Sequence, residues 1–261
     1  MTLSALVLGE RGMLGHVVAR YLEEQGVRVE RLAARFAPGQ GLEFVEAVAA
    51  AEVSAVVNCI GLARGPAPEL LRVNAFLPQL LAARLGGRLL VQPSTDGVFS
   101  GAEGPSAVSK RPDAVDPYGL SKRLGEACAA LGPTLLLRTS LVGPELGAPR
   151  SLLGWLRAQA GTVRGFTDQL WNGVTTLSWA KACHRALKGA TPPGLVHLGT
   201  EEGVTKHELL ALLAEVFELD VRIEGQASGR PLDRRLVPTE TAAPLREQLV
   251  ELRRWYEGRA P

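Results

Sequence analysis

Ser4-Ala-Leu-Val-Leu-Gly9-Glu-Arg-Gly12-Met-Leu-Gly15 is the stretch on which the fold turns. The apolar run ending at Leu8 reads as a buried strand, and the glycines after it as a tight turn into a helix. Glycine lets the chain turn sharply and lets backbone N–H groups at a positive helix end approach a pyrophosphate. The spacing is GxxGxxG rather than GxGxxG, and glycine supplies 29 of 261 residues. The pattern therefore draws its weight from its place directly after a strand, and the alternative is a plain strand–helix turn.

Outward from this unit, short apolar runs at 5–8, 27–32, 55–60, 88–92, 134–139 and 195–198 read as strands. Segments 14–25, 70–85 and 121–131 repeat apolar residues at helical spacing, with Gly26, Gly86 and Gly132 where helix C-caps belong. Strands separated by helices of this length imply βαβ units, and thus an α/β, doubly wound parallel sheet with right-handed crossovers. A third strand of a six-stranded order belongs between Arg35 and Glu52. Only 42–45 is available for it, so it should be short or displaced. After Gly143 the pattern loosens. Helices are expected at 151–159, 176–187, 205–217 and 245–256, and the Pro/Gly-rich stretches 143–149 and 191–194 are expected crossing points between two parts. The expected division is a nucleotide-binding domain over 1–145, completed by about 174–200, and a smaller substrate-binding lobe over 146–261.

Composition narrows the function. Twenty-nine basic residues against 27 acidic ones give a net charge of +2, too even for a polyanion binder, so nucleic acid is not an expected partner. Cys59, Cys128 and Cys183 are scattered and match no zinc or disulfide pattern, so no metal is expected. No signal-peptide pattern opens the chain and no apolar run reaches the roughly 18 residues of a membrane span. The expectation is a cytoplasmic protein with no membrane partner.

Three further features carry chemistry. The residue that reads an adenosine ribose should fall about 20 residues beyond the glycines. Ala33 stands there, not Asp or Glu, while Arg31 and Arg35 offer forks for a 2′-phosphate. The alternative is two solvated surface arginines. Tyr118-Gly-Leu-Ser-Lys122 puts a phenol and an ammonium on one helical face. A nearby ammonium favours phenolate and lowers a tyrosine pKa toward neutrality. Asp116-Pro117 just before it reads as the helix start. Finally, Pro93-Ser94-Thr95-Asp96 ends an apolar run, where side chains of a parallel sheet face the ligand crevice.

Together these residues resemble the extended short-chain dehydrogenase/reductase superfamily, and within it the dTDP-4-dehydrorhamnose reductases and their close relatives. The carrying segments are GERGMLG (9–15), VVNCIG (56–61), RVNAFLPQLLA (72–82), STDGVFSG (94–101), DPYGLSK (116–122) and LRTSLVG (137–143). DQLWNGVTTL (168–177) and EGVTKHELLALLAEVF (202–217) extend the likeness toward the C-terminus.

The resemblance implies a Rossmann sheet that binds NADPH, with NAD as the alternative cofactor. It implies a catalytic set of Thr95, Tyr118 and Lys122, in which Tyr118 gives a proton and Lys122 holds the ribose and depresses the phenol pKa. Thr95 would orient the ketone. Gly9, Gly12, Met13, Leu14 and Gly15 would line the pyrophosphate turn. Cys59, Ile60, Gly61, Asn74, Ser140 and Leu141 would complete the cofactor site with Arg31 and Arg35. Asp96, Val98, Phe99, Trp171, Asn172, Arg230 and Arg235 become candidates for a sugar-nucleotide pocket, with Arg234 beside them in a basic loop. The family usually carries an aromatic residue where Gly97 stands, which implies an open or remodelled pocket wall.

The implied reaction is reduction of the ketone of a nucleotide-linked sugar. A sugar-nucleotide epimerase and a non-catalytic NADP-binding regulatory subunit are the competing readings, and a homodimer is the expected assembly if the chain is not a monomer.

Overall fold

The computed structural model describes residues 3–147 and 149–258. In chain order its elements are β1 (Ser4–Leu8), α1 (Gly15–Glu24), β2 (Arg28–Glu30), α2 (Gly41–Ala49), β3 (Ala55–Asn58) and α3 (Ala67–Leu71). A π-helical turn (Arg72–Phe76) then leads into α4 (Leu77–Arg84), followed by β4 (Leu89–Thr95), α5 (Pro117–Gly125), β5 (Thr134–Thr139) and β6 (Leu141–Val142). The remainder comprises α6 (Leu152–Arg157), β7 (Gly161–Phe166), β8 (Gln169–Trp171), β9 (Val174–Thr175), α7 (Thr176–Leu187), β10 (Gly194–Gly199), β11 (Val204–Thr205), α8 (Lys206–Val216), β12 (Val221–Gln226), β13 (Leu232–Asp233), β14 (Glu240–Thr241) and α9 (Leu245–Glu257).

Seven parallel strands among the described residues form one sheet in the order β14-β10-β5-β4-β3-β1-β2. This is the doubly wound Rossmann-type α/β architecture. Strand order reverses beside β1, and at that switch point the carboxyl ends of β1, β3 and β4 open a crevice. The strands are nearly continuous apolar runs because both faces are covered. One face buries Val17, Val18 and Leu22 of α1 with Trp179 and Cys183 of α7. The other buries Phe44, Val45 and Val48 of α2 with Leu77 and Leu81.

The expected strand at 42–45 is instead the helix α2, and the sheet ends at a three-residue β2 rather than one running 27–32. Phe44, Val45 and Val48 recur at helical spacing, and a helix buries all three at once where an edge strand would expose every second one. The helix expected over 70–85 is divided by the π turn that carries Asn74. Gly26 and Gly86 take positive φ, but Gly132 does not. A Cβ on Gly132 would lie 2.5 Å from the Ala82 carbonyl oxygen, so close helix approach explains that glycine.

After β6 the chain leaves the sheet and returns to it only at β10 and β14 among the described residues. β7 pairs with β12, β8 lies between β11 and β13, and β6 pairs with β9. These short pairs place Trp171, Lys206 and Arg234 over the sheet's open end, facing α5.

Candidate active site

The glycine turn is set by backbone contact. Gly9 has φ +76°, and the Gly12 N–H donates to its carbonyl at 2.9 Å. A Cβ on Gly15 would fall 2.1 Å from that same carbonyl oxygen, so α1 can begin this close to β1 only at a glycine. The first turn of α1 carries no acidic side chain and no side-chain cap, so no carboxylate of the chain neutralises its positive end. Gly12, Met13 and Leu14 open onto a 490 Å³ cleft. The cradle has the shape and charge that a dinucleotide pyrophosphate needs.

The same cleft is lined by Cys59, Ile60 and Gly61, by Asn74, and by Ser140 and Leu141. Asn74 binds both backbone groups of Leu62 (3.0 and 2.7 Å) and donates to Ser121 Oγ at 3.0 Å, tying the loop after β3 to α5. A π turn at a cleft is a recurrent way of presenting one such side chain.

Separate from this cleft lies a 790 Å³ hollow, lined by Arg11, Arg31, Ala33, Arg35 and Phe36. Arg31 is already paired with Glu10 at 2.8 Å and Glu23 at 2.7 Å. Glu30 pairs with Arg28. The hollow keeps Arg11 and Arg35 on its wall.

Thr95, Tyr118 and Lys122 meet where β4 ends beneath α5. Asp116 caps α5, accepting from the Gly119 N–H at 3.0 Å, so the tyrosine sits in the first turn. The Thr95 hydroxyl and the Tyr118 phenol line the same space side by side. The hydroxyl donates to Asp96 Oδ1 and accepts from the Gly97 N–H, each at 3.0 Å. Lys122 Nζ donates to the Pro93 carbonyl at 2.9 Å.

Burial holds Tyr118 above its ordinary pKa, with Asp96 and Asp116 adding to the rise and Thr95 opposing it. The sequence pattern alone suggests a lowered phenol. The direction is reversed because burial penalises phenolate, and Lys122 is itself buried and turned to Pro93. Burial brings Lys122 down to about 8, partly offset by Glu126.

Thr95 and Tyr118 also line a second chamber of 510 Å³, on the side away from the glycine turn. Its walls include Asp96, Gly97, Trp171, Lys206 and Arg234, with Arg64 at its edge. A Cβ on Gly97 would approach both Thr95 Oγ1 and Tyr118 Cε1 to 3.3 Å, so this glycine keeps the space beside the phenol open. Burial raises Asp96 and lowers Lys206, each moderated by the other's charge. The Lys206 ammonium lies 5.5 Å from the Trp171 ring centre, and Arg234 Nε is buried with no hydrogen-bond partner. Three cations against one carboxylate make the chamber suited to an anion.

Five residues expected in a sugar-nucleotide pocket stand away from both spaces. Val98 and Phe99 are buried with Leu236 in a small apolar cluster. Asn172 spends its amide on the Thr200 and Leu236 backbones. Arg235 forks onto Asp233 at 2.9 and 2.7 Å, and Arg230 is exposed and outside the chamber lining. Of the basic loop, Arg234 is the member that reaches the chamber. Lys206 was not legible as a site residue. Its only signal is a cation at a helix N-terminus, where a carboxylate would ordinarily be preferred.

The family described as RmlD substrate binding domain matches residues 3–252. A dTDP-4-dehydrorhamnose reductase of Streptomyces griseus is 31% identical over 233 residues, spanning 82% of this chain and 75% of that protein. Methionine adenosyltransferase 2 subunit beta of Danio rerio is 28% identical over 162 residues, 57% of this chain and 50% of that protein. The crystal structure of dTDP-4-dehydrorhamnose reductase from Bacillus anthracis in complex with NADP superposes with a TM-score of 0.81. It is 16% identical and covers 96% of this chain and 98% of that one.

Proposed function

The chain belongs to the RmlD substrate-binding domain family, and from that premise we propose that it is an NADPH-dependent reductase of a nucleotide-linked sugar ketone, a 4-keto-6-deoxy sugar by preference. The observation that carries this reading is the shared wall: Thr95 and Tyr118 line both the cleft that begins at the glycine turn and the cationic chamber beyond it. A hydride donor in the first and a ketone in the second would meet at the phenol.

When bound, the nicotinamide supplies the hydride. Tyr118, kept protonated by burial, gives its proton to the carbonyl oxygen as charge develops there. Thr95 turns its hydroxyl to the same oxygen and orients it. The buried Lys122 ammonium offsets the negative charge left on the phenolate. Gly12 to Leu14 and the start of α1 hold the pyrophosphate, and Arg11 and Arg35 face the hollow where a 2′-phosphate would sit. Lys206 and Arg234 receive the substrate diphosphate. Charge-assisted bonds to such cations supply remote binding energy that orients the ketone.

The likeness to a methionine adenosyltransferase subunit keeps a regulatory reading in view. A cleft lined by Thr95, Tyr118 and Lys122 favours the enzyme. The test is NADPH oxidation against a panel of nucleotide-linked 4-keto sugars and the corresponding free sugars. Turnover of the linked sugars, with lower kcat and higher KM for the free ones, is expected. Turnover of none would end the reductase reading, and indifference to the nucleotide would end the substrate assignment.

A further inference from the structure

Behind the tyrosine–lysine pair lies a charged network that the reaction just described does not use. Glu126, one helical turn after Lys122, begins the short 3₁₀ turn at the end of α5. Its Oε1 accepts from Ser94 Oγ at 2.5 Å and from Arg138 Nε at 2.6 Å, and its Oε2 accepts from Arg138 Nη2 at 2.5 Å. Arg138 is buried and Glu126 largely so, with side-chain exposures of 4% and 11%. Arg138 continues to His197 Nε2 on β10 at 3.2 Å and stacks its guanidinium 5.3 Å from the Phe99 ring centre. The network thus joins α5 to β4, β5 and β10.

Its position gives it a purpose. Ser94 lies between Pro93, whose carbonyl receives Lys122 Nζ, and Thr95, which lines the cleft beside Tyr118. A clamp on Ser94 therefore fixes both neighbours. Around Lys122 the titratable groups are Glu126 and Cys128 from its own segment, while Arg138 from β5 and His197 from β10 act on Glu126 from behind. Burial brings His197 down to about 4, so it stands neutral beside the guanidinium. Glu126 is then the one group in that set which favours the charged form of Lys122 at neutral pH.

We propose that Glu126 is a positioning residue for the active site: gripped by Arg138, it is the buried counter-ion of Lys122 and, through Ser94, the clamp that holds Pro93 and Thr95 against α5. The inference rests on the reductase reading for its kinetic consequence but not for its structural one. Removing the carboxylate charge leaves burial to act alone on Lys122, whose ammonium is then lost at lower pH.

The test uses the full chain with ¹³C-labelled lysine, in which five lysines give few resonances. In Glu126→Gln the Lys122 signal should titrate about one pH unit or more lower than in the parent protein. Lys206, held by other neighbours, should not move. Glu126→Asp should restore most of the difference. In parallel, kcat should fall about tenfold, its basic limb should move to lower pH, and the KM for cofactor should change little.

Should Glu126→Gln leave Arg138 too costly to bury, the pair Glu126→Gln with Arg138→Met removes the stranded cation. The Lys122 shift should persist there. An unmoved Lys122 midpoint in the single variant, or its return in the double variant, would overturn the proposal and leave Glu126 a packing group. If no keto sugar is turned over at all, the reductase reading fails while the lysine titration still decides this one.

Discussion

Thr95 and Lys122, at one end of the site, are 8% and 9% exposed, whereas the Arg31 side chain, in the separate hollow at its other end, is 49% exposed. The first end is held by bonds that cross between elements: Lys122 to β4, and Asn74 to both the β3 loop and α5. The second rests on ion pairs at the surface, Arg31 with Glu10 and Glu23. Buried hydrogen-bonded groups are expensive to disturb, while exposed ion pairs contribute about 0–1 kcal/mol and yield to salt. Perturbation at the phenol should therefore be large and pH-dependent, and perturbation at the arginine-lined hollow small and salt-dependent.

The hardest test of that contrast is Tyr118→Phe. It removes one oxygen from the buried end, and turnover should fall by about 10²-fold or more, the scale of general acid catalysis. Cofactor affinity, measured by fluorescence titration, should hold. Near-parental turnover would show that another group donates the proton. In the parent protein the basic limb should appear near pH 8, where Lys122 loses its ammonium. Tyr118, raised by burial, remains protonated across that range.

Between the two ends, Gly15→Ala pits a methyl against the Gly9 carbonyl oxygen 2.1 Å away. The turn must shift, at a cost of about 2 kcal/mol, so cofactor affinity should drop about 30-fold. An unchanged affinity would mean that the turn is softer than its geometry implies.

Lys206→Met tests whether the second chamber belongs with the buried end. Losing one charge-assisted contact of about 1.5 kcal/mol should raise the KM for a nucleotide-linked substrate about tenfold. The KM for NADPH should stay put. If both KM values rise together, Lys206 supports the fold rather than the substrate.

The contrast also explains what could be read from the amino-acid order. The strand, glycine turn and helix of 4–24, and the phenol and ammonium of Tyr118 and Lys122, are local patterns. Their spacing is dictated by helix and strand periods, so it survives without knowledge of the rest. The second chamber is non-local: Asp96 and Lys206 meet across 110 positions of chain, and no periodicity records that meeting. Arg234 and Arg235 are adjacent and chemically identical, yet one enters the chamber while the other folds back on Asp233. The helix α2 was misread for a different reason. A short apolar run such as 42–45 suits strand or helix alike, and burial of Phe44 and Val48 on one face decided between them.

The smallest expected effect lies at the exposed end, where Arg31 and Arg35 were indistinguishable in sequence. Arg31 already satisfies two carboxylates, so a 2′-phosphate must displace Glu10 or Glu23 to gain it and wins little in exchange. Arg35 lines the same hollow and bears no such double engagement among the described contacts. Arg35→Ala should therefore weaken NADPH binding by about 1 kcal/mol, roughly fivefold, and leave NADH almost unaffected. Arg31→Ala should cost NADPH roughly twofold or less. Both losses should shrink as ionic strength rises past 0.15 M or so, because exposed charges are screened over about 8 Å there. Paired titrations of NADPH and NADH at low and high salt measure all of this. A larger loss at Arg31 than at Arg35 would mean that cofactor binding rebuilds the Glu10–Arg31–Glu23 cluster, and that the exposed end, too, is organised by its ligand.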